Sequence, residues 1–397
     1  MLEPSKSNSA TDLQSVWRDG ALAIREGRPA DALALFQRII DAGQEATAVW
    51  IGVAMAQRQL GDRSNEITAL QQALRLDPRD LRALLMAGDH HAAAHDARAA
   101  DAYYSAFLKL TEAVADPALM PEIARVRTLR AEFAAAFEAH LRQSVETPAL
   151  EHASGRRMRR SLDLLLGKSE LYVQQPRHFY FPELPNIEYA DRQAFAWLDR
   201  IEAATGEIRQ ELLRILEEDS AFSPYIEAEA NRPAFDDKGM LGNPNWSAFY
   251  LWKAGAPVPE NAARCPATLA ALADAPLCQI PGRTPSILFS LLRPGMHIEP
   301  HHGFMNARYI CHLPLIVPQG CAMRVGSETR SWTEGKACVF DDSIEHEAWN
   351  KNPDHLRVVL IFDVWRPELS QTERDFISSI LQAVDTFGTG NLEPAQP

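Results

Sequence analysis

Six of the twelve histidines in this chain, His297, His301, His302, His312, His346 and His355, fall within 59 residues towards its end. Neutral imidazole binds Fe, Zn, Cu and Ni, and so dense a cluster points to a metal centre rather than to isolated core or surface histidines. Spacing offers two ligand sets. His297 and Glu299 with His346 would form the two-histidine, one-carboxylate arrangement of non-haem iron. Alternatively His301 pairs with His346 and no acid follows, because position 303 is Gly303. On an extended strand positions 297, 299 and 301 share one face, so periodicity leaves the choice open. The five cysteines (Cys265, Cys278, Cys311, Cys321, Cys338) are scattered singly with no C-x-x-C pair. That argues against thiolate ligation, a disulfide framework and a structural zinc site.

The elements that must hold these groups are short. After Asn245 the chain runs in β-branched and aromatic stretches at close spacing, at Ser286–Leu292, His312–Val317, Ala322–Val325, Ala337–Phe340 and Arg357–Val364. Turn residues such as Pro294-Gly295 and Pro318-Gln319-Gly320 separate them, and this pattern predicts an antiparallel jelly roll.

The first third differs. A step of 34 residues superposes Gly20, Ala54 and Gly88, then Gly27, Gly61 and His95, then Ala32, Glu66 and Ala100, then Phe36, Leu70 and Tyr104. Small residues at that period let paired helices approach, and a large one fills the gap between units. The pattern resembles the tetratricopeptide repeat in about three units, with Glu66 a departure at a small-residue position. Such an array serves as a scaffold or as a groove for a peptide. Helix is expected to continue to Lys168, interrupted by Arg156, Arg157, Arg159 and Arg160, a cluster that reads as a solvated linker or an interdomain salt-bridge patch. The run from Gln174 to Pro182 reads as the entry to a second domain, followed by an amphipathic helix over about Asp191 to Glu217.

The 397 residues suffice for two to three domains. Hydrophobic residues make up 46% and charged residues 23%, ordinary globular values. A net charge of −13 disfavours nucleic-acid binding. No apolar run reaches the ~20 residues of a membrane span, and the polar start MLEPSKSNSATDLQ does not look like a signal peptide. A cytoplasmic protein with no membrane partner is expected.

Longer motifs narrow the function. The stretch from Arg293 to Gly303 with Asn306-Ala307-Arg308, the stretch from Phe340 to Trp349, and Arg357 with Phe362-Asp363-Val364-Trp365-Arg366-Pro367-Glu368-Leu369 resemble the aspartyl/asparaginyl β-hydroxylase family. The resemblance covers roughly Asn245 to Arg374. It implies a double-stranded β-helix oxygenase using Fe(II), 2-oxoglutarate and O2, and family members of this type place tetratricopeptide-like helices before that domain. By the same resemblance His301 and His346 are the metal ligands. Ser290, Arg308, His312 and Arg357 bind the co-substrate, and Trp252 lies near the substrate cleft. Where many members carry a second arginine two residues after Arg308, this chain has Ile310.

The expected organisation is therefore α + β and multidomain: a tail over 1–14, helical repeats over 15–112, a helical linker over 113–172, the hydroxylase-like domain over 173–385 and a tail over 386–397. The implied activity is hydroxylation of an unactivated C–H, foremost the β-carbon of Asp or Asn in a peptide or protein that the repeats hold. A hydroxylase of a small molecule or lipid acyl chain, or a non-catalytic interaction protein, are the alternatives.

Overall fold

The computed structural model describes residues 7–112, 116–145, 155–218, 221–228 and 239–387. Residues 1–6 and 388–397, within the expected tails, lie outside the described residues. The chain forms two compact units, Met1–Leu162 and Asp163–Pro397, so the division falls inside the stretch expected as a helical linker.

The first unit is a tetratricopeptide-like array. Helices α1 (Ser7–Arg25), α2 (Pro29–Asp41), α3 (Thr47–Leu60), α4 (Arg63–Leu76), α5 (Leu81–Ala93) and α6 (Ala97–Thr111) form three pairs. The second helix of each pair starts at 29, 63 and 97, the 34-residue step of the sequence. Helix α1 begins inside the segment expected as a tail. Two further helices, α7 (Met120–Ser144) and α8 (Gly155–Leu165), follow. Side chains of Asp62, Asp80 and Asp96 accept bonds from backbone N–H groups at the starts of α4, α5 and α6, satisfying donors that helix geometry leaves free.

The superposed positions do what their spacing predicts. The rings of Phe36 and Tyr104 lie against Gly20 and Gly88, and a Cβ at Gly88 would stand 2.4 Å from Tyr104. The turn between paired helices is left-handed in every unit: φ is +69° at Gly27, +76° at Gly61 and +60° at His95. Glu66 is fully buried, yet it is satisfied. Arg58 Nε donates to Oε1 at 2.5 Å, and His90 Nδ1 lies 3.1 Å from Oε2.

In the second unit, α9 (Leu198–Ala203) and α10 (Thr205–Leu216) replace the single helix expected over 191–217. Eleven strands follow among the described residues: β1 (Ser223–Pro224), β2 (Trp246–Lys253), β3 (Ala256–Pro257), β4 (Ile287–Leu292), β5 (His297–His301), β6 (Arg308–Ile316), β7 (Cys321–Val325), β8 (Glu328–Ser331), β9 (Cys338–Phe340), β10 (His346–Asn350) and β11 (Arg357–Trp365). They make two antiparallel sheets. The larger has the order β1-β2-β4-β11-β6-β9, with β3 on β2, and the smaller β5-β10-β7-β8. From β4 onward the chain passes between the two sheets in the sequence of a double-stranded β-helix.

Central strands β4 and β11 are buried almost throughout and read as continuous apolar runs. One face of the large sheet packs with α9 and α10 through Leu198, Ile208, Leu212, Phe289, Leu313 and Leu360. A second cluster, including Trp246, Leu292, Ile298, Met323, Phe340 and Ala348, joins the two sheets. No helix among the described residues is long and apolar enough to cross a membrane.

Because Tyr104 is fully buried and its hydroxyl donates to Asp89, its ring has no room to yield to a new methyl group. Gly88→Ala is expected to cost the helical unit about 1–3 kcal/mol, read as a lower midpoint in denaturant unfolding.

Candidate active site

Antiparallel pairing sets His301 of β5 directly opposite His346 of β10, with ring centroids 4.1 Å apart. Each Nδ1 lies against a backbone carbonyl two residues upstream, Glu299 O at 2.7 Å and Ile344 O at 3.1 Å. A carbonyl can only accept, so both Nδ1 atoms carry the proton and both Nε2 atoms present lone pairs. Burial lowers the His301 pKa to about 3 and the His346 pKa to about 4, so both rings are neutral at pH 7. Two neutral imidazoles with fixed tautomers are a donor set suited to a divalent transition metal. Among the described residues no group of three or more His, Cys, Asp or Glu is placed to hold a metal, so the pair stands without a third protein ligand.

The alternative triad is excluded by a bulge. Between His346↔His301 and Ala348↔Ile298, β10 advances two residues while β5 advances three. The extra residue breaks the simple alternation, so Ile298 packs between the sheets while His297 is left outside, paired with Glu347 (2.7 Å) and Glu299 (3.3 Å).

Beyond the pair lie three other groups expected at the site. Arg357 is 1% exposed, and among the described residues no carboxylate pairs with it. Its Nη1 donates to Ser290 O at 3.4 Å, its Nε has no partner, and its charge stacks over the Trp332 ring at 5.0 Å. Burial lowers its pKa to about 10. Ser290 on neighbouring β4 is buried, and its Oγ accepts from Trp246 Nε1 at 3.3 Å. His312 is buried with Nδ1 unpartnered, and burial holds it well below the usual imidazole range. A buried unpaired cation beside unsatisfied polar atoms is costly unless an anion completes it, and this cradle fits a carboxylate of a small diacid.

Arg308 is differently engaged. Its Nη1 donates to Asp363 at 3.0 Å and its Nη2 to Asp342 at 3.2 Å, so two buried carboxylates take up its charge instead of a co-substrate. Asp342 also explains Gly303: a Cβ there would fall 1.9 Å from Asp342 Oδ2. An acid from the loop before β10 thus occupies the space where a side chain at 303 would stand, and its Oδ1 has no hydrogen-bond partner.

The tryptophan at the site is Trp246, not Trp252. Trp246 lies 6.3 Å from the His301 ring and stacks on Tyr225 at 4.2 Å. A bulge between Tyr250 and Trp252 reverses the alternation of β2, which sends Trp252 to the helix-covered face of the sheet. Simple alternation would have placed both tryptophans on one face. Ile310 packs between the two sheets.

If Asp342 and a side chain at 303 compete for one space, their substitutions must couple. Gly303→Ala is expected to destabilise by about 1–3 kcal/mol, and to cost less in an Asp342→Ala background, itself destabilised by the loss of a partner of Arg308, with a coupling of about 0.5–3 kcal/mol in a double-mutant cycle of denaturant unfolding.

Residues 202–367 match the family described as Aspartyl/Asparaginyl beta-hydroxylase. The chain is 39% identical over 148 residues to the aspartyl/asparaginyl beta-hydroxylase of Mus musculus, covering 36% of this chain and 19% of that protein. It is 35% identical over 190 residues to the ornithine lipid ester-linked acyl 2-hydroxylase of Rhizobium tropici, covering 47% of this chain and 63% of that protein. The chain thus spans less than two thirds of either relative. Among solved structures, the type III secretion translocator chaperone SycD of Yersinia enterocolitica matches with a TM-score of 0.30 and 14% identity, over 32% of this chain and 94% of that one. With its paired histidines on a double-stranded β-helix, the second unit of this chain carries, over residues 202–367, a domain that matches the aspartyl/asparaginyl β-hydroxylase family.

Proposed function

We propose that the chain is an Fe(II)- and 2-oxoglutarate-dependent oxygenase that hydroxylates the β-carbon of an Asp or Asn residue in a peptide or protein. The observation that carries the reading is Arg357, a buried guanidinium with no acid partner among the described residues, inside the same β-helix as two neutral, tautomer-fixed imidazoles. His301 and His346 would hold the iron through Nε2. When bound, iron and 2-oxoglutarate supply the activation of O2 that an unactivated C–H requires.

The protein's own part is binding and orientation. The Nδ1–H bonds to Glu299 O and Ile344 O keep both rings aimed. Arg357 forks onto the distal carboxylate of the co-substrate, with Ser290 beside it. His312 donates or accepts at the proximal end through its free Nδ1. Trp246, Ile298, Phe340 and Ala348 wall the site with apolar surface and keep water from it. The helical repeats of the first unit would hold the peptide.

The likeness to a protein named as an acyl 2-hydroxylase of an ornithine lipid favours one second reading, a lipid acyl chain as substrate.

Succinate release from 2-oxoglutarate, with Fe(II) and ascorbate under air, tests the assignment. His301→Ala and His346→Ala are each expected to abolish it together with Fe(II) binding. Arg357→Gln is expected to weaken 2-oxoglutarate binding about 30-fold or more, the loss of one partner of a buried charge pair. Wild-type protein that binds neither Fe(II) nor 2-oxoglutarate would sink the reading. Product mass, +16 on a peptide or on an acyl lipid, separates the two substrate classes.

A further inference from the structure

Residues 174–181 form a strap along the turn that follows His301. Gln175 N–H donates to Ser343 O (2.7 Å), His178 N–H to Phe304 O (3.1 Å), and Phe181 N–H to Asn306 Oδ1 (2.7 Å). Asn306 answers by donating from Nδ2 to Gln174 Oε1 (2.9 Å) and Phe181 O (2.8 Å). The strap is therefore pinned at both ends.

Arg177 lies in its middle. Its backbone N–H donates to Gly303 O at 2.9 Å and its Nε to His302 O at 2.6 Å, so the guanidinium is tethered beside the residue that follows His301. The side chain is exposed, and among the described residues no carboxylate pairs with it. That tether leaves the two terminal amino groups as a free fork, the geometry that takes a carboxylate through two parallel bonds.

The other arginines that bear on the histidines are already engaged or buried, and Arg324, which also acts on His346, is held by Glu345 and Glu347. Arg308 is neutralised by Asp342 and Asp363, and Arg357 is buried in the co-substrate cradle. Position 310, on the inner face of β6, carries the apolar Ile310. The positive charge of Arg177 nonetheless reaches the pair, acting on His301, His346 and Asp342. An exposed cation fixed at the edge of the site, with its fork unfilled, is what an acidic substrate would meet on entry.

Resting on the oxygenase reading, we propose that Arg177 is a specificity-determining residue that receives the side-chain carboxylate of an aspartyl substrate at the edge of the His301–His346 pair. The chain then prefers Asp over the isosteric Asn, because only the carboxylate completes the fork.

Binding tests this without turnover. The full chain, with 2-oxoglutarate and redox-inert Zn(II), is titrated by calorimetry with N-acetyl-aspartate methylamide and with N-acetyl-asparagine methylamide. Wild type is expected to bind the acid about tenfold more tightly, the worth of a charge-assisted pair. Arg177→Gln should bring that ratio close to one while leaving the affinity for the asparaginyl probe, the affinity for 2-oxoglutarate and the unfolding midpoint unchanged; Arg177→Lys should keep part of it. A wild type without preference, an Arg177→Gln protein that retains it, or equal loss on both probes together with a lower unfolding midpoint would each overturn the proposal, the last by showing that Arg177 only anchors the strap. Failure of the oxygenase reading shows separately, as absent 2-oxoglutarate binding by the wild type.

Discussion

A buried arginine between two carboxylates organises the second unit. Arg308 on β6 is joined to Asp363 on β11 and to Asp342 in the loop before β10, and all three are almost wholly buried. Removing one member would leave an uncompensated charge in the interior, a cost of about 3–5 kcal/mol. Asp363 also accepts from Ser286 N–H, which sets where β4 begins. Asp342 in turn claims the space beside Gly303 and so closes position 303 to any side chain. The absence of a side chain at position 303, just after β5, and the presence of a buried acid near the histidines are thus two results of one packing arrangement.

A parallel network anchors the strap. Arg366 is fully buried and donates to Asp341 at 2.9 Å and to Pro185 O at 2.7 Å, while Gln174 Nε2 donates to Asp341 at 2.6 Å. Residues far apart in sequence are held through one aspartate, next to the one that meets Arg308. The loop Asp341-Asp342-Ser343 therefore transmits the positions of the strap, of β6 and of β11 to the start of β10, where His346 stands.

The apolar strands, three of the large sheet and β7 of the small one, were legible in the sequence. The stretches read as Ser286–Leu292, Ala322–Val325, Ala337–Phe340 and Arg357–Val364 agree with β4, β7, β9 and β11 to within a residue at most ends. The two strands that carry the paired histidines, His297–His301 and His346–Asn350, are polar and short, and periodicity did not register them. Alternation also fails at a bulge, which is why spacing alone ties His297 and Glu299 with His301; a second bulge, in β2, puts Trp246 beside His301 and turns Trp252, the tryptophan the resemblance implies, to the other face. In the helical unit the 34-residue step was plain, because every pair repeats one close contact. The departure at Glu66 is visible as a departure, but its partners, the half-buried Arg58 and the buried His90, come from other helices and leave no local trace.

The bulge in β5 has a bearing on how such a site can vary. The opposition of His301 and His346 is a property of the ladder between two backbones, and the single extra residue of β5 decides which side chains point inward. Length changes in the connections before β5 or after β10 can be absorbed without moving the pair. Straightening the strand with all its residues kept would bring His297 and Glu299 to the face of His301 and turn Ile298 out, whereas loss of one residue at Glu299 or Pro300 would leave Ile298 and His301 two positions apart on one face. The extra residue is thus what lets an apolar side chain and a histidine at odd spacing share the inner face while His297 and Glu299 stay outside.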